Sequence, residues 1–409
     1  MIELEPLSQG SITTPRGFRA AAVACGLKKN GALDLALVAA DVPCAAAALF
    51  TTNRVQAAPI LYDKRLLAHH ASDLKGVVIN SGCANACTGE RGLKDAEATA
   101  QAVASRLGGE AGNYMVMSTG VIGQHLPMDK ILRGIEMAAP NLSAREAAGH
   151  EAARAIMTTD TRPKEAAVCA RWGSGSCLIA GMAKGSGMIH PNLATMLCLI
   201  TTDARITPAL AQHVLRQAAE VSLNRVTVDG DTSTNDTALL MASGLTDMPL
   251  IASPEGEAYE AFSQGLKAVL TTLAKEIARD GEGASHFIEI VVRGAANEAE
   301  AKQVAKAIAH SPLVKTAIYG QDANWGRIVC AAGYSGVPVD PDRMRVWLGD
   351  LELFREGRPY DINEARAKEI LAQPEVRITV DLQMGESEVT VWTCDLTHRY
   401  IDINAHYRT

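Results

Sequence analysis

Two hydrophobic rhythms alternate along this chain. Apolar runs and period-two alternations over 35–40, 77–80, 114–117, 166–170, 177–180 and 196–201 read as strands. Period-3.6 stretches over 93–107, 144–157 and 208–221 read as helices, the last opening with Thr207 as N-cap and Pro208 at the first helical position. Another helical pattern begins near Ser253 and runs to Arg279. The run at 196–201 is almost continuously apolar, which implies a strand covered on both faces in a layered sheet. Strand and helix patterns interleaved in this way predict a mixed α/β fold, and no fixed-period repeat interrupts them.

A turn cluster, DGEGA at 280–284, changes the pattern. Beyond it the chain reads as a strand at 287–292, a helix at 297–310, a strand, and then two strands around Asp350 and Gly385 with a helix near Ala365 between them. The expected organisation is a main layered domain over 1–284, a smaller α/β domain over 285–395, and a polar, aromatic tail over 396–409. The 409 residues are ample for such a core, and with 47% hydrophobic but only 4% aromatic residues the core must be built from Ala, Val, Leu, Ile and Met.

Composition also narrows the setting. Apolar runs break well before the ~18 residues of a membrane span, and the first residues lack a basic segment followed by an apolar one. The nine cysteines are scattered, mostly in apolar contexts (Cys25, Cys44, Cys169, Cys177, Cys198), which fits free thiols in a reducing, cytoplasmic compartment. A net charge of −7 speaks against a nucleic-acid binder. Neither a membrane nor a nucleic acid is therefore an expected partner.

The segment GMAKGSGMIHPNLATML, residues 181–197, sets Thr195 directly after a glycine-rich loop and at the head of an apolar run. A threonine hydroxyl needs a base, and an N-terminal threonine has one in its own α-amine. Thr195 would gain that amine only if the chain broke after Ala194, through attack of its hydroxyl on the Ala194 carbonyl and hydrolysis of the resulting ester. The plainer alternative is a glycine turn feeding a buried strand. Ser118, Thr119 and Gly120 follow a predicted strand, where a sharp turn either aims a hydroxyl and an N–H at one point, as an oxyanion hole requires, or is an ordinary turn. Lys184 lies in the glycine-rich loop without the Gly-Lys-Ser/Thr ending of a phosphate loop, and a cation there suits a carboxylate. The acidic loop VDGDTSTND at 228–236 fails as an EF-hand, with Thr234 and Leu240 where Gly and Glu are needed. Cys83 and Cys87 lack a second ligand pair for zinc, and His190 is the only histidine placed near Thr195. Nothing calls for a metal or an organic cofactor.

The segment around Thr195, together with FTTNR at 50–54, NSGCAN at 80–85, STGVIG at 118–123, MTTDT at 157–161 and DIN at 402–404, resembles the ornithine acetyltransferases, or glutamate N-acetyltransferases, of arginine biosynthesis. The resemblance spans almost the whole chain. It implies a layered αββα-type sandwich, shared with self-processing aminopeptidases, with the smaller α/β domain following. It implies autocleavage between Ala194 and Thr195, Thr195 as nucleophile, and Thr119 and Gly120 as the oxyanion hole. It also implies a substrate site of Thr158 (or its neighbour Thr159), Lys184, Thr195, Glu282, Asn404 and Thr409, completed by the returning tail. The implied substrates are N-acetylornithine and glutamate, with acetyl-CoA as a donor in some members, and the implied assembly is α2β2. A hydrolase with the same nucleophile and a non-catalytic anion-binding protein are the rival readings.

Overall fold

The computed structural model describes residues 1–173, 175–190, 196–361 and 363–406. Its first sheet contains β1 (Ile2–Pro6), β2 (Phe18–Val23), β3 (Leu35–Phe50), β4 (Leu74–Cys83), β5 (Tyr114–Val121), β6 (Lys164–Trp172), β7 (Gly175–Lys184), β8 (Leu197–Thr202) and β9 (Thr237–Ala242), in the order β1-β6-β7-β8-β9-β3-β4-β5 with β2 also on β3. The sixteen-residue β3 belongs to two layers. Its first half pairs with β2 and β4, while residues 45–50 pair antiparallel with β9, and the register shifts between Ala39 and Cys44, around Asp41 and Pro43.

Alternation along the strands then gives three apolar layers. Ala36, Val38, Val77, Ile79, Met115 and Met117 from the β2–β5 half meet Ala46, Ala48, Met182, Leu197, Leu199, Leu239 and Met241 from the β6–β9 half in one core. The intervening residues face outward. Leu37, Val78 and Val116 pack under α2 (Gly89–Leu107) and α3 (Met128–Ala138), beside α1 (Ala58–His70). Cys198, Ile200, Ala238 and Leu240 pack under α5 (Pro208–Glu220) and α6 (Glu257–Arg279), while α4 (Glu146–Ala155) inserts Ala152 and Ala153 into the middle layer. This is the αββα sandwich. All six residues of β8 are buried, as its apolar run predicts.

A second sheet holds β10 (Phe287–Ala295), β11 (Arg345–Leu348), β12 (Leu351–Arg355), β13 (Arg358–Pro359), β14 (Glu375–Asp381) and β15 (Ser387–Cys394), in the order β13-β12-β11-β14-β10-β15. It shares a core with α7 (Glu298–His310), α8 (Pro312–Tyr319), α9 (Trp325–Gly333) and α10 (Glu364–Leu371). The strand expected after α7 is instead the helix pair α8 and α9. Ser311 accepts from the Val314 amide and Asn324 from that of Arg327, so each short apolar run begins with a helical cap. Helix α6 also starts later than its pattern implied, after Gly256 at φ +90°.

Among the buried charged groups, Lys164 ties several segments together. Lys164, at the start of β6, places its ammonium 2.6 Å from both Asp160 Oδ1 and Asp280 Oδ2, with its side chain fully buried. Burial alone would raise the Asp160 carboxyl, but Lys164 and Lys184 outweigh it and hold Asp160 down at about 2. That contribution is complete above about pH 4 and is lost as pH falls toward 2. Lys164→Met should therefore destabilise the protein by about 3–5 kcal/mol near neutrality, because two buried carboxylates lose their counter-ion. Denaturant titrations across pH should show the variant gaining on the wild type as acid protonates Asp160. A constant difference from pH 7 to 3 would exclude the electrostatic account.

Candidate active site

The charged cluster also fixes polar backbone. Asp160 accepts from the amides of Thr158 (2.9 Å) and Gly185 (2.7 Å), while Asp280 accepts from the Thr161 amide (3.0 Å) and its hydroxyl. Ser186 Oγ donates to the Asp280 carbonyl and its own carbonyl accepts from the Glu282 amide. Three segments far apart in sequence, around Thr158, Lys184 and Glu282, are thus tied at one place.

They border a cavity of ≈ 220 Å³. Its lining includes Thr119, Gly120, Thr158, Thr159, Lys184, Glu282 and Asn404, so every described member of the expected site faces one space. Thr158 and Thr159 both line it, and position alone does not choose between them. Ala194, Thr195 and Thr409 lie outside the described residues. The remaining wall includes Asp229, Asp231, Asp236 and Tyr400.

Thr119 and Gly120 end β5 beside the bulged end of β4. Gly120 has φ +131°, and a Cβ there would come within 2.3 Å of the Gly82 carbonyl carbon, so only glycine lets the two strands approach this closely. Lys184 Nζ donates to Thr119 Oγ1 at 3.1 Å, leaving the Thr119 hydroxyl proton free to point elsewhere. Burial lowers the Lys184 ammonium from its ordinary value, opposed by Asp160, Asp236 and Glu282 and reinforced by Lys164.

Glu282 is buried, unlike most turn glutamates, and accepts from Asn404 Nδ2 at 2.7 Å. Gly187 makes the room: a Cβ there would sit 2.3 Å from Glu282 Oε2. Asn404 comes from α11 (His398–His406), the helix into which the polar tail folds. Thr397 Oγ1 bonds the Gly283 carbonyl at 2.7 Å, and Tyr400 donates its hydroxyl to Asp229 at 3.2 Å. Asp229 in turn accepts from the Met188 and Ile189 amides, so the 228–236 loop is a wall built from hydrogen bonds. Asn235 staples that wall to the strand ends through the Ala84 (2.6 Å) and Ser118 (2.8 Å) carbonyls.

Sequence reasoning passed over Lys164, Asp280 and Tyr400; it took the 228–236 loop as active-site wall but gave Asn235 no role of its own. The polar density of the 228–236 loop was a usable signal for Asn235; a lysine opening a strand was a weak one for Lys164. His190 packs its ring edge-on against His310, centroids 4.2 Å apart, and burial pushes its imidazole down to about 4, so it is neutral at physiological pH. Cys83 is buried and Cys87 exposed. Among the described residues no cluster of His, Cys, Asp and Glu is arranged to hold a metal, and no helix is long and apolar enough to cross a membrane.

Residues 19–409 match the ArgJ family. The chain is 50% identical over 402 residues to the arginine biosynthesis bifunctional protein ArgJ of Symbiobacterium thermophilum, covering 98% of this chain and 99% of that one. It is 47% identical over 408 residues to the protein of the same name from Dehalococcoides mccartyi, covering 99% of each. A crystal structure of the Bacillus halodurans protein of that name aligns with a TM-score of 0.49 and 45% identity, over 51% of this chain and 97% of that chain. With its motifs, its cavity and near-complete alignment to such relatives, the chain belongs to the ArgJ family of arginine-biosynthesis enzymes.

Proposed function

We propose that the protein transfers the acetyl group of N-acetylornithine to glutamate through an acetyl-Thr195 intermediate. The observation that carries this reading is the convergence of Thr119, Gly120, Thr158, Lys184, Glu282 and Asn404 on one cavity, in a chain of this family. The chain first cuts itself between Ala194 and Thr195. Thr195 Oγ then attacks the acetyl carbonyl while its new α-amine takes the hydroxyl proton. Thr119 and the Gly120 amide hold the oxyanion, the C–N bond breaks, and the amine returns the proton to departing ornithine. Glutamate's amine attacks the resulting ester, freeing the Thr195 hydroxyl and leaving N-acetylglutamate.

The two amino acids share their α-carbon substituents and differ in side-chain charge, so one pocket must read the shared end. Lys184 and Thr158 supply a cation and a hydroxyl for a carboxylate, and Glu282 with Asn404 and Thr409 supplies the opposite polarity. The relatives' description as bifunctional supports a second donor, acetyl-CoA, for the same acetyl-enzyme. We place the enzyme in the cytoplasm as α2β2, with residues 1–284 as the main domain, 285–395 as the smaller one and 396–409 as the tail.

Purified protein should give two bands in SDS, residues 1–194 and 195–409, yet one peak in gel filtration without denaturant. The first fragment ends beyond β7 and the second supplies β8, and these strands pair along their length. Separation would expose β8 at about 25 cal/mol per Å² of apolar surface. Thr195→Ala should stay intact and inactive, and normal fragments from that variant would falsify the nucleophile assignment. In the absence of acetyl-CoA, N-acetylglutamate should form only when N-acetylornithine and glutamate are both present; acetate release at the same rate without glutamate would instead identify a hydrolase.

Thr119→Ala should slow transfer by roughly a hundredfold, the effect of one lost oxyanion donor, with little change in melting temperature. An unchanged rate in folded variant protein would remove Thr119 from the hole.

A further inference from the structure

Asp236 is the one cavity acid whose carboxylate has a buried oxygen with no hydrogen-bond partner among the described residues. The side chain sits at the head of β9 and the residue is only 2% exposed. Its surroundings are rigid. The Asp236 carbonyl accepts from the Thr51 amide at 3.0 Å, and the next amide, Thr237, donates to the Met196 carbonyl at 3.0 Å. Beside it, Asn235 is saturated by Thr234, Ala84 and Ser118. Of the other cavity acids, Asp229 is engaged by two amides and Tyr400 and Glu282 by Asn404, while Asp231 is exposed. Leaving a buried carboxylate oxygen unpaired is costly unless a donor arrives to meet it.

We propose that Asp236 is a binding point for a primary ammonium group inside the reaction cavity. The inference rests on the acetyl-transfer reading above, which brings two such groups there. One is the α-amine freed at residue 195, covalently next to Met196, whose carbonyl accepts from the Thr237 amide that follows Asp236. The other is the α-ammonium of the acceptor amino acid. Either would give the free oxygen a charge-assisted bond. The charged groups facing this point are Lys184 from β7, with the Asp160–Lys164 pair behind it, Glu282 after α6, and Asp229 and Asp231 on the loop itself. Burial drives the Asp236 carboxyl well above the ordinary range, against Lys184, so an arriving cation also lets it ionise.

Asp236→Asn keeps the shape and removes the charge, and it should melt no lower than wild type. The first and second half-reactions are followed separately, as ornithine release from N-acetylornithine and as glutamate-dependent discharge of the acetyl-enzyme, from pH 5 to 9. If the ammonium is the enzyme's own, both halves slow by roughly 10- to 100-fold, and the acid limb of both pH profiles moves to lower pH as the amine's proton is held less tightly. If it is the acceptor's, KM for glutamate rises by a similar factor while ornithine release is unchanged. Asp236→Glu should recover part of whichever effect appears. Both half-reactions within twofold of wild type, with unmoved limbs, would overturn the proposal. So would an Asn variant that fails to fold, or folded Asn and Glu variants that both stay uncut, since these place the carboxylate's role before any ammonium is present. A wild type that makes no N-acetylglutamate sinks the acetyl-transfer reading itself, and this inference with it.

Discussion

A single ammonium group, that of Lys164, holds the active region together from below. Two carboxylates meet it at 2.6 Å in a place where water does not reach, and each carboxylate spends its remaining lone pairs on backbone or hydroxyl donors of a different segment. In so low a dielectric the attraction is strong only while every member is present. The positions of Thr158, Gly185 and, through Ser186, Glu282 are therefore set by one salt-bridged triad rather than by independent loops. The cavity wall is thus positioned by a charge that is not among its lining residues.

Above that anchor, the cavity concentrates opposing charge. Asp229, Asp231, Asp236 and Glu282 share its walls with Lys184. Their hydrogen-bond assignments differ, and those differences separate structural acids from available ones. Asp229 is consumed in holding Met188, Ile189 and Tyr400. Glu282 meets the tail, and among the described cavity residues Asp236 alone keeps a buried carboxylate oxygen unspent.

Much of this was legible in the residues. Strand and helix periods located the elements of the sandwich because each strand has both faces buried or alternates cleanly, and β8 was readable from its apolar run alone. The two-layer character of β3 was not, because Asp41 and Pro43 break the apolar pattern at the point where the strand turns from one layer to the other. Helices α8 and α9 were missed because a short apolar run has no period, and only the caps at Ser311 and Asn324 decide its form. Among site residues, Thr119, Thr158, Lys184, Glu282 and Asn404 came from motif resemblance, and the cavity gathers all five. Lys164 and Asp280 carry no motif. Their importance lies in a contact between residues 116 positions apart, which no local pattern records.

The bent strand β3 has a further consequence, for the way the protein is made. Chains emerge from the ribosome N-terminus first, and β2 and β4 lie close enough to β3 in sequence to pair with its first half early in synthesis, with β5 following on β4. Residues 45–50 have no such local partner; theirs is β9, near the middle of the chain. Until β9 is synthesised, one half of the sandwich carries an open, apolar edge with its pairing groups unsatisfied. Assembly of this enzyme is thus paced by the arrival of a single strand, and the nascent chain is most exposed to misassociation in the interval between β5 and β9.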